Sequence, residues 1–270
     1  MTKTQQKILL RCTLLASAAL LPAVSQADHA WGSYHWARTS NPFTLKLGDN
    51  VNSTWDPYLV TASNDWTASS VLNTTIVAGG TTGRKCRPTS GRVEVCNAAY
   101  GNNGWLGLAQ IWASGSHITQ GTAKMNDTYH NNPPYNSAAY RRLVMCQEVA
   151  HDFGLDHQDE NQTNANLGSC MDYTNDPDGP PSNEHPNAHD FDQLVAMYSH
   201  LDSTTTVGSL PFAPSAMHLD FDKPSRWGQL VHQSADQRSA KYELDFGGGN
   251  KILTHVFWAE GHSHGRHQND

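Results

Sequence analysis

The 270-residue chain carries 25 Asp and Glu against 18 Lys and Arg, a net charge of −7 with histidine neutral. An acidic surface argues against nucleic acid and anionic membrane as partners, because both repel it. The length suits one good-sized domain with an extension, expected to work as a monomer.

Lys3, Lys7 and Arg11 precede an apolar run over residues 13–24 and then Ser25-Gln26-Ala27. That order reads as a secretory signal peptide, residues 1–27, with a small-residue cleavage site after Ala27. The run is too short to span a bilayer. The expected location is therefore secreted, either extracellular or periplasmic. Cleavage leaves 15 basic and 25 acidic residues, a net charge of −10, and four cysteines: Cys86, Cys96, Cys146 and Cys170. An even count in an exported chain suggests two disulfides, for which three pairings are possible.

Period-two alternation marks a strand over residues 43–47. Asp56-Pro57 reads as a helix start, and Leu59, Ala62 and Trp66 recur at helical spacing, so a helix is expected to about residue 72. Strands are expected over residues 74–78, 92–99, 105–112 and 117–127, with Gly101-Asn102-Asn103-Gly104 as one of the turns. Asn132-Pro133-Pro134 breaks the chain, and Asn136 or Ser137 caps a helix that runs on to Phe153. A loop rich in Asn, Asp, Gly and Pro follows, and its acidic residues make structural calcium a candidate ligand. Phe191, Leu194, Val195 and Tyr198 mark a last amphipathic helix. Residues 203–214 form a Ser/Thr/Pro-rich linker. Strands over 227–231, 239–246 and 251–259 then make a small β extension to which the sequence assigns no chemistry. His262, His264 and His267 near the end read as an unstructured tail.

The chemistry gathers at Cys146-Gln147-Glu148-Val149-Ala150-His151-Asp152-Phe153-Gly154-Leu155-Asp156-His157. On a helix Gln147 and His151 lie one turn apart on one face, with Glu148 beside them. Gly154 can take the left-handed conformation that reverses the chain and returns His157 toward the same point.

This stretch resembles the metzincin zinc-protease signature H-E-x-x-H-x-x-G-x-x-H at every fixed position but the first, where Gln147 stands for His. Ser169-Cys170-Met171-Asp172-Tyr173 resembles the Met-turn of that clan. The resemblance implies an α+β catalytic domain over residues 28–201: a twisted, mostly parallel sheet with an antiparallel edge strand, an active-site helix, a Met-turn and a C-terminal helix. Residues 202–270 then form the linker and β-rich extension. It further implies zinc, held by Gln147, His151 and His157, with Glu148 as catalytic base and acid. Met171 would pack beneath the metal, and the Tyr173 hydroxyl would serve the oxyanion. Residues 117–127 resemble the family's edge strand, which pairs with an extended protein or peptide substrate. The favoured disulfides are Cys86–Cys96, closing a short hairpin, and Cys146–Cys170, tying the site helix to the loop before Met171.

Gln147 is neutral, so a Gln-His-His set keeps the charge of three imidazoles, but amide oxygen is a poorer zinc donor. Two readings follow. One is a secreted zinc endopeptidase; the other is a pseudoprotease that keeps the cleft as a peptide-binding module.

Overall fold

The computed structural model describes residues 29–208 and 221–262. The proposed signal peptide, the second half of the linker and the last residues of the tail lie outside the described residues.

The elements, in order, are β1 (His35–Trp36), β2 (Phe43–Asn50), α1 (Asp56–Thr67), β3 (Leu72–Ala78), β4 (Val93–Ala98), β5 (Trp105–Ser114), β6 (His117–Asn126), α2 (Asp127–His130), α3 (Ala138–His151), α4 (Ala188–Met197), β7 (Gln229–Gln233), β8 (Ser239–Gly247) and β9 (Asn250–Trp258). Each expected strand appears, with its ends within three residues of the expected ones. The first helix stops at Thr67, five residues before the expected end, because the backbone N–H groups of Ala68 and Ser69 close a tighter turn onto Asp65 and Trp66. It starts at Asp56 itself, with Trp55 at the cap position and no side-chain cap.

The sheet order is β3-β2-β4-β6-β5-β9-β8-β7, with β1 pairing β6 from outside this path. Its first half is parallel: β2 pairs with β3 and β4, and β4 with β6. From β5 onward every pairing is antiparallel. The architecture is thus α+β with a largely parallel core sheet. Two expectations need correction. Residues 117–126 are an interior strand, hydrogen-bonded on both sides, by β4 and by β5. The antiparallel strand β5 is no edge either, since β9 runs along its far side over Trp105–Ser114. The extension after Asp202 therefore continues the main sheet.

Both faces of the β5–β9 region are dry. The bulge between Trp105 and Gly107 lets Leu106 join Ile111 of β5, with Leu253 and Phe257 of β9, in the core beneath α3. Trp105, Leu108, Val256 and Trp258 face the opposite way, against Trp227 and Tyr242. Helix α3 is capped by Ser137, whose hydroxyl accepts from the Tyr140 N–H at 3.1 Å. Its second half is buried all round, including Gln147, Glu148 and His151. The Trp66 indole pins it by donating to the Cys146 carbonyl at 3.2 Å. The Trp36 indole does the same at the carbonyl of Asp152 at 2.8 Å. The disulfides are Cys86–Cys96 and Cys146–Cys170, and the second joins α3 to the turn before Met171.

Candidate metal centre

Helix α3 ends as its sequence requires. Gly154 sits at φ 94°, and a Cβ there would come within 2.4 Å of the Tyr34 carbonyl, so only glycine fits. The reversal is held by the Leu155 N–H on the Ala150 carbonyl at 3.3 Å. It brings His157 back to His151, with ring centroids 4.7 Å apart and planes 86° apart.

The third imidazole at this point is His255, from the middle of β9. Its ring lies 3.9 Å from that of His151 and 4.6 Å from that of His157. The three can each present a ring nitrogen with all three nitrogens within 4.8 Å of one another. His255 pairs with Ala109 of β5, and alternation along β9 puts it on the same face as Leu253 and Phe257, toward α3. Nothing local in the sequence connects it to the motif. The available signal was a lone polar residue within Ile252-Leu253-Thr254-His255-Val256-Phe257-Trp258, on the core-facing phase of an apolar strand.

Each imidazole is oriented by an outer partner. His151 Nδ1 bonds the Leu155 carbonyl at 2.8 Å, and His157 Nδ1 lies 3.2 Å from Glu160 Oε1. His255 Nε2 meets the Tyr173 hydroxyl at 3.1 Å. The nitrogens left over, Nε2 of His151, Nε2 of His157 and Nδ1 of His255, are buried and have no hydrogen-bond partner. Burial, followed by the charge His157 would carry, drops the His151 pKa to about 3. Burial first, then His151 and His157, puts His255 well below its ordinary value. Both are therefore neutral at pH 7, the form in which imidazole binds a metal.

Glu148 is fully buried and both its oxygens lack a hydrogen-bond partner. Oε2 lies 3.6 Å from His255 Nδ1. Room for the carboxylate comes from Gly107 of β5, where a Cβ would stand 2.2 Å from Oε1. Burial, and then the neighbouring Asp152, raise the Glu148 pKa well above the carboxylate range. Tyr173 is buried with its ring 4.4 Å from His157, and burial keeps its hydroxyl protonated. Met171 is buried in the same core, its N–H held by Ser169 Oγ at 2.8 Å.

Gln147 is engaged through its nitrogen and leaves free the oxygen expected to face a metal. Its amide nitrogen donates to the Cys170 carbonyl at 3.0 Å, across the same gap that the disulfide spans. Its oxygen is buried and unpartnered. The extension also supplies an outer layer: Ser239 Oγ and His232 Nε2 both bond Glu160, at 3.0 and 2.7 Å. In the acidic loop after His157 no group of three carboxylates gathers among the described residues, so calcium finds no support there. No helix among the described residues is long and apolar enough to cross a membrane.

No family model and no curated protein matches the sequence. Among solved structures the chain is similar to high choriolytic enzyme 1, a hatching enzyme zinc-protease from the medaka fish Oryzias latipes, at 12% identity and a TM-score of 0.35, over 62% of this chain and 95% of that one. It is similar at the same identity and TM-score to myroilysin, over 64% of this chain and 99% of that one.

Proposed function

We propose that this chain is an exported zinc-dependent endopeptidase whose metal is held by His151, His157 and His255, with Glu148 as general base and acid. The observation that carries the reading is the set of buried, partnerless atoms. Three imidazole nitrogens and a carboxylate converge with no protein partner to satisfy them. Buried polar atoms are otherwise paired, so such a set fits a cation. Three imidazoles with outer-layer partners suit zinc.

Zinc bound there would polarise the scissile carbonyl and bring the pKa of attacking water to about 7. Glu148 then accepts the proton from that water and passes it to the leaving amine. The Tyr173 hydroxyl, on His255 Nε2, would hold that imidazole with its other nitrogen toward the metal. Gln147 ties α3 to the turn at Cys170, and Met171 forms the apolar floor.

Glu148, His151 and His255 are at most 1% exposed, and His255 reaches the other two imidazoles from β9 paired along β5. The two disulfides suit an oxidising compartment outside the cytoplasm.

The test is zinc content of the purified chain together with cleavage of an unfolded protein substrate. One zinc on the three imidazoles, chelator-sensitive cleavage, and a Glu148→Gln variant that keeps zinc but loses cleavage are expected. Cleavage that survives Glu148→Gln would refute the mechanism. The complete burial of the site favours one second reading, a metal-bearing but non-hydrolytic peptide-binding module. Zinc-loaded wild-type protein that binds peptides and never cleaves them would select it.

A further inference from the structure

A second set of imidazoles gathers where β1, the start of β6 and the chain after α4 meet. Asp202 Oδ1 lies 3.3 Å from His117 Nε2, 3.4 Å from His35 Nε2 and 3.8 Å from His200 Nε2. The Nε2 atoms of His35 and His200 are 3.2 Å apart. The rings of His117 and His200 each stand edge-on to His35, with planes 82° and 84° from it.

The separations of His117 and His35 from Asp202, 3.3 and 3.4 Å, match a coordination shell, with His200 farther out at 3.8 Å. Bonds of about 2.0–2.1 Å at tetrahedral angles place donor atoms about 3.3–3.4 Å apart. The remaining polar atoms of the two inner residues are already engaged. His35 Nδ1 meets the Ser33 carbonyl at 2.8 Å. Asp202 Oδ2 accepts from the Arg38 backbone N–H at 3.1 Å and its guanidinium at 2.9 Å. Such outer contacts fix a ligand's orientation and leave one atom of each facing the cluster. His35 and Asp202 are nearly buried, whereas the side chains of His117 and His200 are 37% and 52% exposed, so an ion can enter from solvent. The donors come from three separate stretches of chain, so local geometry does not account for the convergence.

We propose that His35, His117, His200 and Asp202 form a second metal site, separate from the His151 centre, for a late first-row dication. Three imidazoles and one carboxylate suit zinc or copper(II), and are too rich in nitrogen for calcium or magnesium. An ion there fastens the N-terminal strand and the chain after α4 to β6. Arg38 on the far oxygen of Asp202 lowers the negative charge of the site.

The experiment uses the full chain and the double variant His117→Ala/His200→Ala, whose exposed positions spare the core; circular dichroism checks the fold. Both are equilibrated with zinc and counted by native mass spectrometry, then loaded with copper(II) for electron paramagnetic resonance. Two zinc ions in wild type and one in the variant, with loss of a multi-imidazole copper signal, are expected. One ion in wild type and none in the variant would also support this site, and would count against metal at the His151 centre. Equal zinc counts with an unchanged copper signal, or no zinc in wild type, would overturn it.

Discussion

Replacing Glu148 by Gln is expected to stabilise the metal-stripped protein while it ends hydrolysis. Glu148 is fully buried against Gly107 and Val144, and neither oxygen has a hydrogen-bond partner. Burial and the nearby Asp152 hold its pKa well above the carboxylate range. In the unfolded chain a glutamate ionises above about pH 4.3. The unfolded state thus gives up a proton that the folded state keeps, and stability falls as pH rises. The slope is about 1.4 kcal/mol per pH unit for as long as Glu148 stays protonated in the fold. The amide variant lacks this slope. Its advantage over wild type should therefore widen by about 2–3 kcal/mol between pH 5 and pH 7. Asp152, also raised by burial, is present in both proteins and cancels in the difference. Urea denaturation in chelator at pH 5, 6 and 7 measures the gap. A gap that stays flat with pH, or a variant less stable than wild type at pH 7, would refute the electrostatic reasoning.

Burial drops the His130 pKa from 6.5 to about 4, so the folded state refuses a proton that the unfolded chain accepts below pH 6.5. Stability should be intact above that pH and fall by about 3 kcal/mol as pH approaches 4, and a His130→Gln variant should lack that fall. Removing the Cys146–Cys170 bridge, with 24 residues between its ends in sequence, is expected to cost about 3.5 kcal/mol by chain entropy and to weaken zinc binding, read by denaturation and metal titration. Ser114 and Asn250 face each other across β5 and β9. Crosslinking the pair as Ser114→Cys/Asn250→Cys should leave zinc binding and peptide cleavage as in either single variant, because His255 joins the cluster from a paired β9, and loss of cleavage would refute this.

Helix α3 and its reversal were legible because their causes are local: Ser137 as cap, apolar residues at helical spacing, and Gly154 where only glycine fits. The interior place of β6 was not. Gln120, Thr122 and Lys124 alternate with apolar residues as a half-exposed strand would, yet all three are buried. Lys124 is neutralised by Asp222 at 2.6 Å, a partner from the far end of the chain. Strand patterns reveal that a segment is extended and say little about its neighbours, which depend on long-range pairing. The same limit hid His255. The motif places two imidazoles and a carboxylate by helix geometry, while the third imidazole depends on the register of β9 against β5. Gln147 signalled a gap in the signature without indicating what fills it.

Synthesis runs from the N-terminus, and His151 precedes His255 by about a hundred residues. A ribosome therefore delivers the helix and its carboxylate well before the last imidazole exists. Until β9 has emerged and paired with β5, the nascent polypeptide holds two of the three imidazoles. On the proposed reading, hydrolysis would therefore wait for the last strand, through the order of translation alone.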